Sequence, residues 1–270
     1  MQYDPIKKTL GNFFNRSLFL RKVFYDLLDL LLLRAWHVHH HLRRIFASFP
    51  PDQPVKVLDA GSGFGQYSYN IMKKKPHWKL TGIEIKEEQV EDCNRFFTDD
   101  GISNASFILA DLTQYSKPDT YDLILSVDVM EHIEQDEMVF SNFHRSLKSQ
   151  GQLVISTPSD QGGSDVNHHH DTSFIEEHVR DGYGKDEITQ KLVKAGFNKV
   201  KVHYTYGFWG HISWLLSMKY PILLLGYSKL FFIILPFYYL VVYPFCLLFN
   251  FLDVHRQNKT GTGLLVIAQK

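Results

Sequence analysis

The chain has 270 residues, 44% of them hydrophobic, enough for one substantial α/β domain with additions or at most two small domains. Its 29 lysines and arginines balance 29 aspartates and glutamates, which excludes a net field that would gather nucleic acid or steer acidic substrates. The two cysteines, Cys93 and Cys246, have no metal-ligand spacing and make no disulfide framework, so a reducing compartment is expected.

In chain order, residues 1–50 read as one or two helices that form an N-terminal amphipathic cap. Leu20, Val23, Phe24, Leu27, Leu28 and Leu31 recur at helical spacing, with Arg21, Lys22, Asp26 and Asp29 on the other face. The apolar run near Leu27–Leu33 follows charged residues and has no small-residue cleavage site behind it, so it is not read as a signal peptide. His37, His39, His40 and His41 are expected at the surface, facing anionic lipid headgroups. Phe49-Pro50-Pro51-Asp52 then breaks the helix.

From 51 to 206, strand-like runs alternate with helical stretches, the βαβ signature of a parallel sheet. The runs are Val55–Ala60, Lys79–Ile85, Ala105–Leu109, Tyr121–Val127, Gly151–Thr157 and Lys199–Tyr206. Helices are expected at Glu87–Asp99, Asp136–Ser149 and Asp186–Ala195, the last closed by Gly196. Lys73–Lys75 reads as a solvated helix end. Residues 207–258 are almost wholly apolar, yet Gly263–Gln269, within 259–270, returns to a buried-strand pattern. The apolar zone is therefore an insertion before a final strand of the same sheet.

The strongest motif is VLDAGSGFG, Val57–Gly65, at the end of the first predicted strand. A strand feeding a glycine-rich turn lets backbone approach a ligand closely. A dinucleotide turn would place its third glycine at position 66, which is Gln66; this disfavours a nicotinamide dehydrogenase. Glu84 ends the second run, where a carboxylate can accept both ribose hydroxyls.

The turn with its preceding acid resembles motif I of the class I S-adenosylmethionine (SAM)-dependent methyltransferases. Support comes from Glu84-Ile85, Ala110-Asp111-Leu112, Tyr121–Ile133 (YDLILSVDVMEHI) and Gly151–Pro158 (GQLVISTP), in the family's order. The resemblance covers about 50–206 plus the last strand. It implies a Rossmann-like, doubly wound, seven-stranded sheet and SAM as cofactor. It places Asp59 near the SAM amino group, and Gly61, Gly63 and Gly65 in the cofactor turn. Glu84 and Ile85 fall beside the ribose, Asp111 and Leu112 beside the adenine.

Asp128, Glu131 and His132 share a face if the chain turns helical at Asp128. They resemble the E-x-x-E-H cluster of the ubiquinone-pathway O-methyltransferases, with aspartate in place of the first glutamate. Three readings stay open: Asp128 contacts the methionine end of SAM and His132 is a general base; the trio binds a divalent metal; or Glu131 and His132 cap and pack a helix. The cluster His168-His169-His170-Asp171 reads as a solvated loop in a substrate-facing position.

The acceptor is read from the apolar zone. Leu230–Phe249 is a run of twenty residues without formal charge, rich in aromatics, and carries Pro236 and Pro244. Either a membrane anchor or a lid over an apolar pocket explains it, and both point to a lipophilic acceptor. The expectation is O-methylation of a hydrophobic small molecule or lipid at the cytoplasmic membrane face. The alternative is a non-catalytic SAM-fold subunit that anchors a membrane complex.

Overall fold

The computed structural model describes residues 17–162, 179–228 and 231–270; the His168–Asp171 cluster lies outside them. The chain enters through helices α1 (Leu18–Leu31) and α2 (Leu33–Ser48), and Ser17 caps α1 by accepting from the Leu20 amide. There follow β1 (Lys56–Ala60), α3 (Gln66–Lys74), β2 (Lys79–Glu84), α4 (Glu87–Asp99), β3 (Ala105–Leu109) and β4 (Tyr121–Val127). Next come α5 (Asp136–Ser146), β5 (Leu147–Pro158), α6 (Lys185–Lys194), β6 (Lys199–Thr205), α7 (Phe208–Trp214), α8 (Tyr220–Tyr227), α9 (Phe231–His255) and β7 (Gly263–Gln269). The expected helix over Asp136–Ser149 stops at Ser146, because Leu147 already pairs with Tyr121 in the sheet.

The seven strands lie in the order β3-β2-β1-β4-β5-β7-β6. β1 through β5 are parallel, and β7 runs antiparallel between β5 and β6. β6 is thus parallel to β5. Its C-terminal end, where the apolar insertion departs, lies on the same sheet edge as the C-terminal ends of β1, β2 and β4.

Side chains alternate between two apolar layers, as strand geometry requires. Val57, Leu123, Leu125, Val154 and Leu265 join Ala35, Val38, Leu42, Ile45 and Phe46 of α2 on one face. Leu58, Ile124, Leu153, Ile155 and Val266 pack under Val139, Phe140, Ile188 and Leu192 on the other. Helix α2 is therefore a layer of the core as well as a cap. This corrects the expectation for its histidines: His37 and His41 are buried, and His37 Nε2 lies 2.8 Å from the fully buried Asp253 of α9.

Helix α1 also departs from its expected orientation. Arg21 and Tyr25 are buried, whereas Phe19, Leu27 and Leu30 are exposed. Arg21 and Asp29 of the polar stripe turn inward because the Phe64 carbonyl and the side-chain amides of Gln66 and Asn70 beneath them need partners, whereas Asp26 stays exposed.

The insertion is an antiparallel helical hairpin. Phe208–Tyr227 runs out, through one wide π turn at Leu215–Lys219, and α9 returns. Trp209 stacks on Phe249 at 5.4 Å, Ser213 Oγ donates to Asn250 Oδ1 at 2.6 Å, and Tyr239 OH donates to the Ser217 carbonyl at 2.7 Å. Tyr243 OH reaches the Leu30 carbonyl at 2.6 Å and ties the hairpin to the α1–α2 junction.

Candidate active site

The site is built where β1, β2 and β4 end. Gly61 and Ser62 both donate to the Ile83 carbonyl at 2.9 Å, which folds the turn back over β2. Gly61 and Gly63 have φ of 80° and 51°, in the left-handed region that favours glycine. A Cβ on Gly61 would strike Val129 at 2.3 Å, whereas one on Gly63 would meet nothing within 4 Å. Gly63 thus lines open space that a ligand can fill. Ser62 Oγ is buried there with no hydrogen-bond partner among the described residues.

Three carboxylates stand at the C-terminal ends of the strands around this turn, Asp59 on β1, Glu84 on β2 and Asp128 just after β4. Asp59 is buried and accepts from Ser68 Oγ at 2.5 Å. Burial pushes its pKa up to about 6, with Glu84 adding to the shift and the Ser68 bond opposing it. Glu84 takes the amides of Gly63, Ile85 and Lys86 at 2.9, 2.9 and 3.1 Å, which fixes its rotamer at the strand tip. Asp128 stands at φ 51°, an uncommon conformation for a side-chain-bearing residue, and its amide donates to the Ser156 carbonyl at 2.8 Å. Farther along the edge, Asp111 Oδ1 holds the Thr113 amide and hydroxyl at 2.8 Å, and Leu112 is buried.

The turn is clamped from α1. Arg21 Nη2 and Tyr25 OH both donate to the Phe64 carbonyl, and Arg21 pairs with Asp92 at 2.5 Å. Asp29 accepts from Gln66 and Asn70 at 2.7 and 2.8 Å. Sequence reasoning placed Arg21 and Asp29 on the face opposite the apolar stripe and named no partner for them, and so missed this clamp. A charged pair within one amphipathic helix carries no sign of the partner it will meet.

Arg34 was missed entirely. From the first turn of α2 its guanidinium forms an ion pair with Asp128, while its amide donates to Tyr206 OH at 3.1 Å. Tyr206, at the end of β6, is also in the left-handed region, at φ 55°. Two strained residues on one edge therefore converge on a single arginine, the kind of strain that persists at functional sites. The available signal was a lone arginine within the apolar run Leu30–Ala35.

The trio Asp128, Glu131 and His132 does not converge as a metal site. The positive φ at Asp128 stops an α-helix from starting there, and Met130–His132 forms a single 3-10 turn. Glu131 is 1% exposed and accepts from Thr157 Oγ1 at 3.1 Å, whereas His132 is exposed. No group of three metal-ligating side chains is assembled among the described residues. The divalent-metal expectation is corrected on this geometry.

Residues 51–199 match the family described as a methyltransferase domain. Among curated relatives, a probable (S)-tetrahydroprotoberberine N-methyltransferase of Papaver bracteatum is 35% identical over 99 residues, 37% of this chain and 28% of that protein. A malonyl-[acyl-carrier protein] O-methyltransferase of Ilyobacter polytropus is 29% identical over 101 residues, 37% of each chain. Matched segments thus span well under half of those relatives. A solved phosphoethanolamine N-methyltransferase of Haemonchus contortus, in complex with SAM, superposes with a TM-score of 0.60 at 15% identity. The superposition covers 92% of this chain and 60% of that one, and shows the shared fold.

Proposed function

Because the chain belongs to the methyltransferase-domain family, we propose that it is a SAM-dependent methyltransferase acting on a lipophilic acceptor at the cytoplasmic membrane surface, with oxygen as the methylated atom. The observation that carries the reading is the open space at Gly63, held by Glu84, with Asp59 and Asp128 at the neighbouring strand ends. Anions at these positions suit a ligand with an ammonium group and vicinal hydroxyls, and the unpartnered Ser62 hydroxyl offers a further polar contact.

Bound there, SAM would supply an electrophilic methyl group on a sulfonium. The chain's own tasks are to hold that group in line with the acceptor and to keep water out. Asp59 and Glu84 would hold the amino and ribose ends and Asp111 and Leu112 would border the adenine, while Arg34 pairs with Asp128. His132 is exposed at the end of the 3-10 turn that follows β4, where it would serve a protonated oxygen nucleophile as base.

Support for a membrane comes from the hairpin. The most apolar 18-residue window of Ile233–His255 has a mean hydropathy of 1.8, and only 11% of that window is buried against the protein. Because β6 and β7 flank the hairpin and pair with each other, both of its ends stay on one side of a bilayer. A monotopic, re-entrant anchor fits that constraint.

Titration calorimetry with S-adenosylhomocysteine and with NAD tests the cofactor reading, which fails if NAD binds and S-adenosylhomocysteine does not. Incubation with SAM and a membrane lipid extract should yield S-adenosylhomocysteine and a lipid heavier by one CH2. Binding without turnover would favour the non-catalytic anchoring subunit.

A further inference from the structure

The exposed face of α9 ends in a basic cluster. Phe237, Val241, Leu248 and Phe251 form its apolar stripe, 50–69% exposed, and the next residue on that stripe is His255. The Phe251 ring stacks on His255 at 4.1 Å. His255 lies 5.0 Å from His40 of α2, His40 lies 5.4 Å from His41, and His41 lies 5.0 Å from His203 of β6. Three elements thus bring four imidazoles into contact, and Arg43, Arg44, Lys201 and Arg256 are exposed around them.

These groups oppose one another's charge. Burial first, then Arg44 and His255, pushes His40 down to about 4. Burial and then His203 and His40 push His41 down to about 3. Asp253, which faces His37, does not compensate the cluster. Its oxygens already take His37 Nε2 at 2.8 Å, the amides of Tyr206 and Gly210 at 3.1 and 3.0 Å, and Asn258 Nδ2 at 3.2 Å. His40 and His41 are thus kept neutral, and the positive charge around them is that of Arg43, Arg44, Lys201 and Arg256, which outside anions stabilise; its place at the border of an apolar stripe is headgroup depth for a helix inserted in lipid.

We infer that the base of the hairpin, through Arg43, Arg44, Lys201 and Arg256 around the imidazole cluster, docks on the anionic headgroups of a bilayer, so that the chain selects negatively charged membranes over neutral ones. The inference rests on the membrane reading above and adds to it the class of lipid. It also orients the molecule: the sheet edge that carries the cofactor cradle faces the lipid.

Flotation of the full chain with vesicles tests it, using phosphatidylcholine alone and phosphatidylcholine with about one third phosphatidylglycerol. Wild type should partition more strongly onto the anionic vesicles, and the preference should shrink in high salt. Arg43→Ala and Arg44→Ala should each weaken anionic-vesicle binding by roughly fivefold and leave neutral-vesicle binding unchanged. S-adenosylhomocysteine binding by both variants serves as the control for folding. Equal partitioning of wild type onto both vesicles, or no effect of the arginine variants, overturns the inference and leaves the membrane reading standing. Absence of binding to either vesicle overturns both.

Discussion

The cofactor corner and the apolar hairpin leave the same edge of one sheet and follow opposite rules of burial. At the corner, Asp59, Glu84, Arg21 and Glu131 are all less than 10% exposed, and each has a named hydrogen-bond partner. Along the hairpin, Ile233, Phe237, Leu240 and Val241 are 65–76% exposed and have little protein against them. Ordinary soluble folding does the reverse with both classes of residue. The contrast teaches that the two regions depart from ordinary burial for different reasons: the corner suits a polar cofactor, and the exposed apolar face of the hairpin is what the proposed membrane anchor would explain.

The sharpest way to break the comparison is to make the hairpin polar. Phe237→Asp with Leu240→Asp should abolish flotation with vesicles, at roughly 2.5–3.5 kcal/mol for each charge in hydrocarbon. Thermal stability in buffer and S-adenosylhomocysteine affinity should stay at wild type, because both side chains are exposed. Loss of soluble folding instead would show that these residues pack in a protein interface. A cysteine placed at Leu240 should likewise resist an impermeant thiol reagent added from the far side of the membrane.

The second test cuts the junction between the two regions. Asp253→Ala leaves the Tyr206 and Gly210 amides and His37 without their acceptor, so unfolding free energy should fall by about 3 kcal/mol. Limited proteolysis should cut the hairpin before the sheet core. Uniform destabilisation with no early cleavage would argue against a separable hairpin.

The third concerns the corner alone. Asp59, held at about 6, keeps its proton when folded between pH 4 and 6, where the unfolded chain releases it. Ligand-free stability should therefore fall by on the order of 2–3 kcal/mol as pH rises through that window. Affinity for S-adenosylhomocysteine should rise over the same window, since its ammonium favours the ionised carboxyl. Asp59→Asn should remove both slopes; a pH-independent wild type would remove Asp59 from the site.

The smallest effect is expected at His132. His132→Ala should change S-adenosylhomocysteine binding by less than about 0.5 kcal/mol, and chelator should leave turnover unchanged. Turnover itself should fall if the imidazole is the base. Restoration of chelated enzyme by a divalent cation would reinstate the metal site that the 3-10 turn at Met130–His132 argues against.

Much of this protein is legible in its sequence because the relevant forces are local. Alternating apolar runs located β3, β4 and β7 to the residue, and the glycine spacing marked the turn over Gly63, since both signals arise within a few residues of backbone geometry. The return of strand pattern at Gly263–Gln269 was enough to make the apolar zone an insertion. Only tertiary structure decided which face of α1 turns inward, that Arg34 meets Asp128, that His37 is buried against Asp253, and that Glu131 is buried while its neighbour His132 is exposed. Those pairings join residues as far as 216 positions apart. Their partners are selected by the order of strands and the packing of helices across the sheet, and no local periodicity records that choice.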